Sequence, residues 1–505
     1  MARYFQVTTL ALLAIAAAMP AWAQGQPAPK YSAKVPSYIT TPDTVETRIG
    51  TLKFFDGLPD PETVQKVYDN LDFARGVEAF LSGVPAASAY AFCEGLSQVG
   101  VKRNGGIGVT EDLADARSLW LTPNSTTVYV TMCLDLKDGP VVVEVPPGVL
   151  GPVDDAYFHF VTDVGLTGPD EGKGGKYLFV PPGYSGSLPA EGYFVLKSPT
   201  YGHLIFYRAF VQGGDIAAAV SGVKAKARVY PLSAAGSPPP PTSVNLSGVQ
   251  FNTIHANTFH FYEEINAVIQ HEPADAFDPE IVGLFASIGI KKGKPFAPDA
   301  RMKAILTDAI AVGNATARAI LFASRDERVK FYPDRQWSTT FIGGSYAFLN
   351  EGERLLDARA QFHYYATGIT PAMAFSKPGT GSAYAYAARD SMGRYLDGGK
   401  TYKITLPAPI PVGQFWSFMV YDGQTRSMLE TDQKLAGLDS NQRDIKKNAD
   451  GSVTVWFAPK APAGQESNWV QTMPGKGWNS LLRLYAPLEP WFDKSWKPGD
   501  FERVD

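Results

Sequence analysis

The common catalytic signatures are missing from this chain. It has no G-x-S-x-G elbow, no P-loop and no H-E-x-x-H, and no G-x-G-x-x-G follows a strand. These absences argue against α/β-hydrolases, nucleotide-dependent enzymes, zincins and Rossmann dehydrogenases. No run of Lys or Arg offers a face for phosphates, so nucleic acid is not an expected partner. Charge of one sign is also lacking, with 46 basic against 50 acidic residues. Beyond the N-terminus, no stretch reads as long and apolar enough to span a bilayer. Cysteine is scarce. Cys93 and Cys133 either pair or remain as two buried thiols, one on a helix and one on a strand, and spacing alone does not decide.

The N-terminus reads as a signal peptide (residues 1–23). Arg3 supplies a short positive region, Val7 to Met19 is almost wholly apolar, and Ala21-Trp22-Ala23 is an A-x-A cleavage site ahead of Gln24. No cysteine follows the site, which argues against a lipid anchor. Removal takes away Arg3 alone, leaving 45 basic and 50 acidic residues, a charge of −5. The expected destination is the periplasm or the exterior, and a mature chain of this length predicts two domains.

Residues 24–48 read as a flexible leader rich in Pro, Ala and Lys. Asp60-Pro61-Glu62 opens a helix whose stripe is Val64, Val67, Leu71, Phe80 and Leu81, with the next Pro and Gly residues ending it. From Thr127 the period becomes that of strands, continuing to Phe210, so residues 49–236 form a helix-plus-β domain. Residues 237–375 are a Pro-rich connector and a helical middle, with helices over 257–270 and 301–323. Strands return in 376–505. That region repeats the first: Val141 to Asp163 parallels Tyr402 to Asp422, Gly202 matches Gly477, and Arg208 falls on Arg483. The expected class is mainly β with an α insert: two β-sandwich or jelly-roll-like domains joined by helices.

Chemistry is sought among a few polar residues. His159, Asp163, His203 and Arg208 sit on strands of the first unit. On a shared face they would give a general base and an arginine for a substrate carboxylate. The competing reading makes Asp163–Arg208 and Asp422–Arg483 structural ion pairs, one per unit. His255, His260, Glu263 and Glu264 resemble metal ligands, but a five-residue His spacing suits one helical face poorly. Asn257 or Thr258 capping that helix is the simpler reading. No metal or cofactor is therefore assigned. Aromatics crowd the second unit and its approach, among them Trp337, Tyr384, Trp416, Trp469 and Trp478, and a surplus beyond the core would line an apolar cleft.

The segment TPNSTTVYVTMCLDLKDGPVVVEVP (122–146) resembles the domain-of-unknown-function family numbered 1254. LDGGKTYKITLP, GQFWSFMVYDGQTRSML, NADGSVTVWFAP, NWVQT and GWNSLLRLYAP resemble the family numbered 1214. The resemblance implies two β-sandwich-like domains with a helical insert, in an exported bacterial protein. It brings no established catalytic residues. A shared site would leave its traces at Thr122, Asn124, Tyr129, Asp163, Tyr384, Trp416, Asp422, Asn468, Trp469 and Arg483. Two functions are expected: a cofactor-independent enzyme of the hydrolase kind acting on a small partly apolar molecule, or a non-catalytic small-molecule, carbohydrate or envelope-binding protein. A homo-oligomer is compatible with either.

Overall fold

The computed structural model describes residues 30–442 and 444–504, so the signal-peptide segment lies outside the described residues. Two compact units divide at Tyr68 and Asp69. In the first, Thr44–Thr47, Gly50–Phe55 and Leu58–Pro59 form an antiparallel meander. Residues 44–47, read from sequence as leader, are thus a strand. Helix α1 (Pro61–Gln98) begins as expected, with the Asp60 carboxylate accepting the Thr63 N–H at 2.7 Å.

α1 does not stop at Gly83 and Pro85 but runs through both. The expectation failed because these glycines serve packing. A Cβ at Gly76 would come within 2.7 Å of the Ala309 Cβ, and one at Gly83 would collide with Ile265. Close contact with α2 (His260–His271) and α3 (Ala300–Phe322) offsets the roughly 3 kcal/mol that an interior proline costs. Neither Asn257 nor Thr258 caps α2 with its side chain. By length and composition α3 could cross a membrane, contrary to the sequence reading, but its apolar stripe from Leu306 to Leu321 is buried in the core.

The second unit contains one strand plan twice. The first copy is β1 (Thr127–Asp135), β2 (Val141–Val145), β3 (Val149–Asp155), β4 (Phe160–Gly165), β5 (Gly175–Val180), β6 (Phe194–Lys197), β7 (Gly202–Phe210) and β8 (Arg228–Pro231). The second is β9 (Ser382–Ala387), β10 (Tyr402–Leu406), β11 (Trp416–Asp422), β12 (Gly437–Asp439), β13 (Val453–Ala458), β14 (Trp469–Gln471), β15 (Trp478–Tyr485) and β16 (Glu502–Arg503). In the first copy β1-β7-β3-β4 form one sheet, which two further strands extend beyond β1, and β6-β5-β2-β8 form the other. The second copy repeats both orders, as β9-β15-β11-β12 and β14-β13-β10-β16. In each copy the same single pair is parallel, β5–β6 and β13–β14.

Register identifies equivalent residues. Tyr129 lies opposite Arg208 as Tyr384 lies opposite Arg483. Asp155 opposes His203 as Asp422 opposes Trp478. The counterpart of Asp422 is therefore Asp155, not Asp163 as the sequence comparison paired it. Asp163 instead opposes Pro152, and the same place in the second copy holds Gly437 opposite Met419.

Alternate residues of the two sheets meet in one core per copy. The outer faces of β1, β7, β11 and β15 share a third core with the helices. The chain is thus mixed α and β, with eight helices among the described residues, rather than mainly β.

Cys93 on α1 and Cys133 on β1 form a disulfide, with Cα atoms 5.8 Å apart. It closes a 40-residue separation, a loop whose closure is worth about 4 kcal/mol. Cys133→Ser or reduction by dithiothreitol should lower the melting temperature by several degrees in calorimetry; an unchanged melt would contradict the pairing.

Candidate functional site

Period-two alternation decides which side chains can meet. On β7, Leu204 and Phe206 face the helices while Ile205, Tyr207 and Ala209 face the inner core. Arg208 falls on the helix side. β15 repeats this, with Leu481 outward and Leu482 and Leu484 inward, which places Arg483 outward too. Between these outer faces and the segment 340–382 lies a cavity of about 90 Å³. Both Tyr–Arg pairs line it, Tyr129 with Arg208 and Tyr384 with Arg483. Phe206, Phe341, Phe362 and Leu481 give it apolar walls.

Arg483 ties the two copies together. Its Nη2 donates to the Thr122 carbonyl at 2.7 Å and to the Tyr421 hydroxyl at 2.7 Å. That hydroxyl in turn donates to the Pro123 carbonyl at 2.7 Å. Burial opposes the Arg483 charge, but the phenols of Tyr421, Tyr485, Tyr129 and Tyr384 outweigh it and hold the guanidinium firmly protonated. Thr122 has φ 44°, in the left-handed region that a β-branched residue rarely enters. Asn124 shapes the rest of the turn. Its Oδ1 accepts the N–H groups of Thr126 (2.9 Å) and Thr127 (3.0 Å), and its Nδ2 donates to the Tyr129 hydroxyl at 2.8 Å.

Asp163 is the carboxyl group on the cavity wall. Its Oδ2 accepts the Thr370 hydroxyl at 2.9 Å, and the Thr167 hydroxyl on the cavity wall also bonds the carboxyl. Burial pushes the group up to about 6. Asp154, on the neighbouring strand β3, accepts the Ile369 N–H at 2.9 Å and is raised further, again chiefly by burial.

Of the residues picked out in the sequence, Thr122, Tyr129, Asp163, Arg208, Tyr384 and Arg483 converge on the cavity. The two histidines do not. His203 is five residues from Arg208, an odd number, so it points to the inner core beside Phe179, with ring centroids 5.6 Å apart. Burial draws it down to about 4. His159 is exposed, with Nδ1 3.1 Å from the Asp155 carboxylate. A shared His–Asp–Arg face is therefore not formed.

Neither expected ion pair forms either. Among the described residues Arg208 has no hydrogen-bond or ion-pair partner. Asp422 accepts the Gln424 N–H at 2.6 Å and pairs with Lys476 at 2.9 Å. Asn124 supports the site from behind. Trp416 is inner core, Asn468 bridges the Lys446 and Thr454 carbonyls at 2.8 Å each, and Trp469 donates to Ala458 at 2.9 Å, so these three serve the second copy's own structure.

His255 and His260 diverge. His255 is packed against Phe80, Phe261 and Tyr364, and burial lowers it to about 3. His260 is exposed and bonds Glu263 at 2.6 Å. Glu264, expected on the exposed side, is buried, accepts the Ala256 N–H at 3.1 Å and is raised to about 7 by burial. Among the described residues no group of three or more His, Cys, Asp or Glu is placed to hold a metal ion.

Sequence reasoning missed Thr370 and Phe362, which come from the helical middle, where no motif marks them, whereas Tyr365 is one of the aromatics crowding the approach to the second unit and does line the cavity. Phe206 was within reach, two positions from Arg208 on the same face.

Other cavities are larger, among them two of about 290 and 520 Å³ whose wall charges are already matched. In the first, Glu272 accepts the N–H groups of Tyr201 (2.6 Å) and Gly202 (3.0 Å), and His271 pairs with Asp135 at 3.2 Å. In the second, Arg318 donates to the Gly423 and Gln424 carbonyls at 2.8 Å each.

Comparison with known proteins finds a different family on each copy. Residues 106–231 match the family described as Protein of unknown function (DUF1254), and residues 381–489 match Protein of unknown function (DUF1214). No curated protein matches the chain. The crystal structure of the VPA0106 protein from Vibrio parahaemolyticus is similar, with TM-score 0.53 and 17% identity, covering 86% of this chain and 100% of that one. An uncharacterized protein from Burkholderia cenocepacia aligns with TM-score 0.38 and 12% identity, covering 87% of this chain and 96% of that one. At such identities the likeness to VPA0106 speaks to fold alone. The chain thus carries a DUF1254 domain followed by a DUF1214 domain, the pairing that its motifs resemble.

Proposed function

We propose that this protein is an exported, cofactor-independent enzyme that acts on a small, partly apolar molecule in the cavity between its two copies, each read as a β-sandwich. The observation carrying this is Asp163. It combines a carboxyl held only by the Thr370 and Thr167 hydroxyls with no cation beside it among the described residues, a value raised to about 6 and a place on the wall of a mostly apolar cavity. A carboxyl group so poised can exchange a proton near neutral pH. The phenols of Tyr129 and Tyr384 offer hydrogen bonds to a developing negative charge beside it. A hydrolase of esters, lactones or amides fits this equipment. A non-catalytic binding role is favoured by one fact: both histidines stand away from the cavity, leaving Asp163 without a second near-neutral group there.

Turnover of an ester, lactone and amide panel by the mature protein tests the proposal. Asp163→Asn should reduce turnover of any active substrate by about 10²–10⁴-fold. If Asp163 acts as the base, wild-type kcat/KM rises through pH of about 6 as it ionises. Activity that survives in Asp163→Asn, with an unaltered pH profile, would reject the assignment.

Stability should move the other way. A carboxyl raised in the folded state binds its proton more tightly folded than unfolded, so its contribution falls as pH rises from about 4 to about 6. Above that range the ionised group costs about 3 kcal/mol. Asp163→Asn should therefore melt higher than wild type at pH 8 and equally at pH 4. A lower melt at pH 8 would contradict the buried, raised carboxyl.

A further inference from the structure

The duplication supplies an internal control for Arg208. Its equivalent, Arg483, donates through Nη2 to the Thr122 carbonyl and the Tyr421 hydroxyl, although its Nε has no partner. The position equivalent to Tyr421 in the first copy is Asp154, one residue before Asp155, and its carboxyl turns to the Ile369 N–H instead. Directly opposite Arg208 on its two sides stand Tyr129 and Leu150, neither of which carries a charge. Asp163 shares the cavity but forms no ion pair with Arg208, and burial rather than a guanidinium dominates its environment.

Another buried arginine, Arg426, has partners for two of its three nitrogens, with Nη2 unpaired. Arg426 donates to the Tyr364 carbonyl at 3.1 Å and the Gln424 carbonyl at 2.7 Å. Arg208 thus holds a partly buried positive charge with no carboxylate partner among the described residues; burial and the Arg483 guanidinium oppose it, while the phenols of Tyr384, Tyr129 and Tyr485 outweigh them and keep it protonated. A guanidinium kept charged in this way, with no hydrogen-bond partner of its own, has its donor fork free for an anion brought from outside.

Resting on the cavity reading above, we propose that the molecule bound there is an organic carboxylate, its carboxylate held by the Arg208 guanidinium and its apolar part set against Phe206, Phe341 and Phe362. The planar fork of arginine matches a carboxylate with two parallel hydrogen bonds. One unpaired guanidinium calls for a single negative charge, and a cavity of about 90 Å³ with mainly apolar walls suits a compact monoacid better than a phosphate ester. The phenol of Tyr129 is held in place by Asn124 and stands beside the same anion.

The test uses matched probes on the mature protein: benzoate and benzamide, phenylacetate and phenylacetamide, butyrate and butyramide, and inorganic phosphate. Calorimetric titration and thermal shift are recorded for wild type, Arg208→Gln, Arg208→Lys and the cavity-filling Leu150→Trp. At least one acid should bind ten-fold or more tighter than its amide. Arg208→Gln should remove that preference, Arg208→Lys should keep part of it, and Leu150→Trp should abolish binding. The ligand-free Arg208→Gln protein should melt no lower than wild type.

Amides that bind as well as their acids, or acids unaffected by Arg208→Gln while Leu150→Trp still blocks them, would overturn the carboxylate and leave the cavity reading standing. Phosphate binding tighter than every acid would also overturn it. Binding insensitive to Leu150→Trp, or no binding by any probe, would overturn both.

Discussion

The arrangement depends on one buried guanidinium. Arg483 leaves its own sheet and donates into the Thr122 carbonyl and the Tyr421 hydroxyl, while Tyr421 closes the circuit on the Pro123 carbonyl. A charge buried without a carboxylate is tolerable only where dipoles surround it, and the phenols of four tyrosines do so. Because the turn it grips leads into β1, the same contact sets where Tyr129 and Arg208 stand. Thr122 keeps its left-handed backbone under this hold, and the cavity lies where that turn, both sheets and the helical middle meet.

Duplication followed by divergence explains how one strand plan yields a single site. Both copies retain the cross-strand Tyr–Arg pair. In the second copy Ser417 and Tyr421 flank the arginine, and it became an anchor. In the first, Leu150 and Asp154 occupy those places, and the arginine stays free. Asp163 has no acidic counterpart, since Gly437 stands in its place. The anchor and the free charge are thus two uses of one position, and only the first copy adds an ionisable group beside it.

Much of this was legible in the chain itself. The Gly202–Gly477 offset carried Arg208 onto Arg483, and the repeated strand orders bear that out. The Thr122–Tyr129 motif marked the turn that the structure places at the cavity. What failed did so for physical reasons. Asp163 was aligned with Asp422 because the connection before β3 (146–148) is shorter than the one before β11 (407–415), so the aromatic run ending in Asp163 fell where β11 stands, whereas ladder pairing depends on hydrogen bonds that no string displays. His203 was grouped with Arg208 although five residues along a strand must reverse the face. α1 was stopped at Gly83 and Pro85 because local propensity cannot see Ile265 waiting across the helix interface. Thr370 and Phe362 lie in a segment without period or motif, and only packing brings them to the cavity.

The central claim is that Arg483 and Tyr421 act as one unit in joining the copies. A double-mutant cycle measures this directly, with urea unfolding of wild type, Arg483→Lys, Tyr421→Phe and the double variant. The account predicts a coupling of about 1–3 kcal/mol, because either change alone already opens the circuit. Costs that simply add within about 0.5 kcal/mol would contradict it.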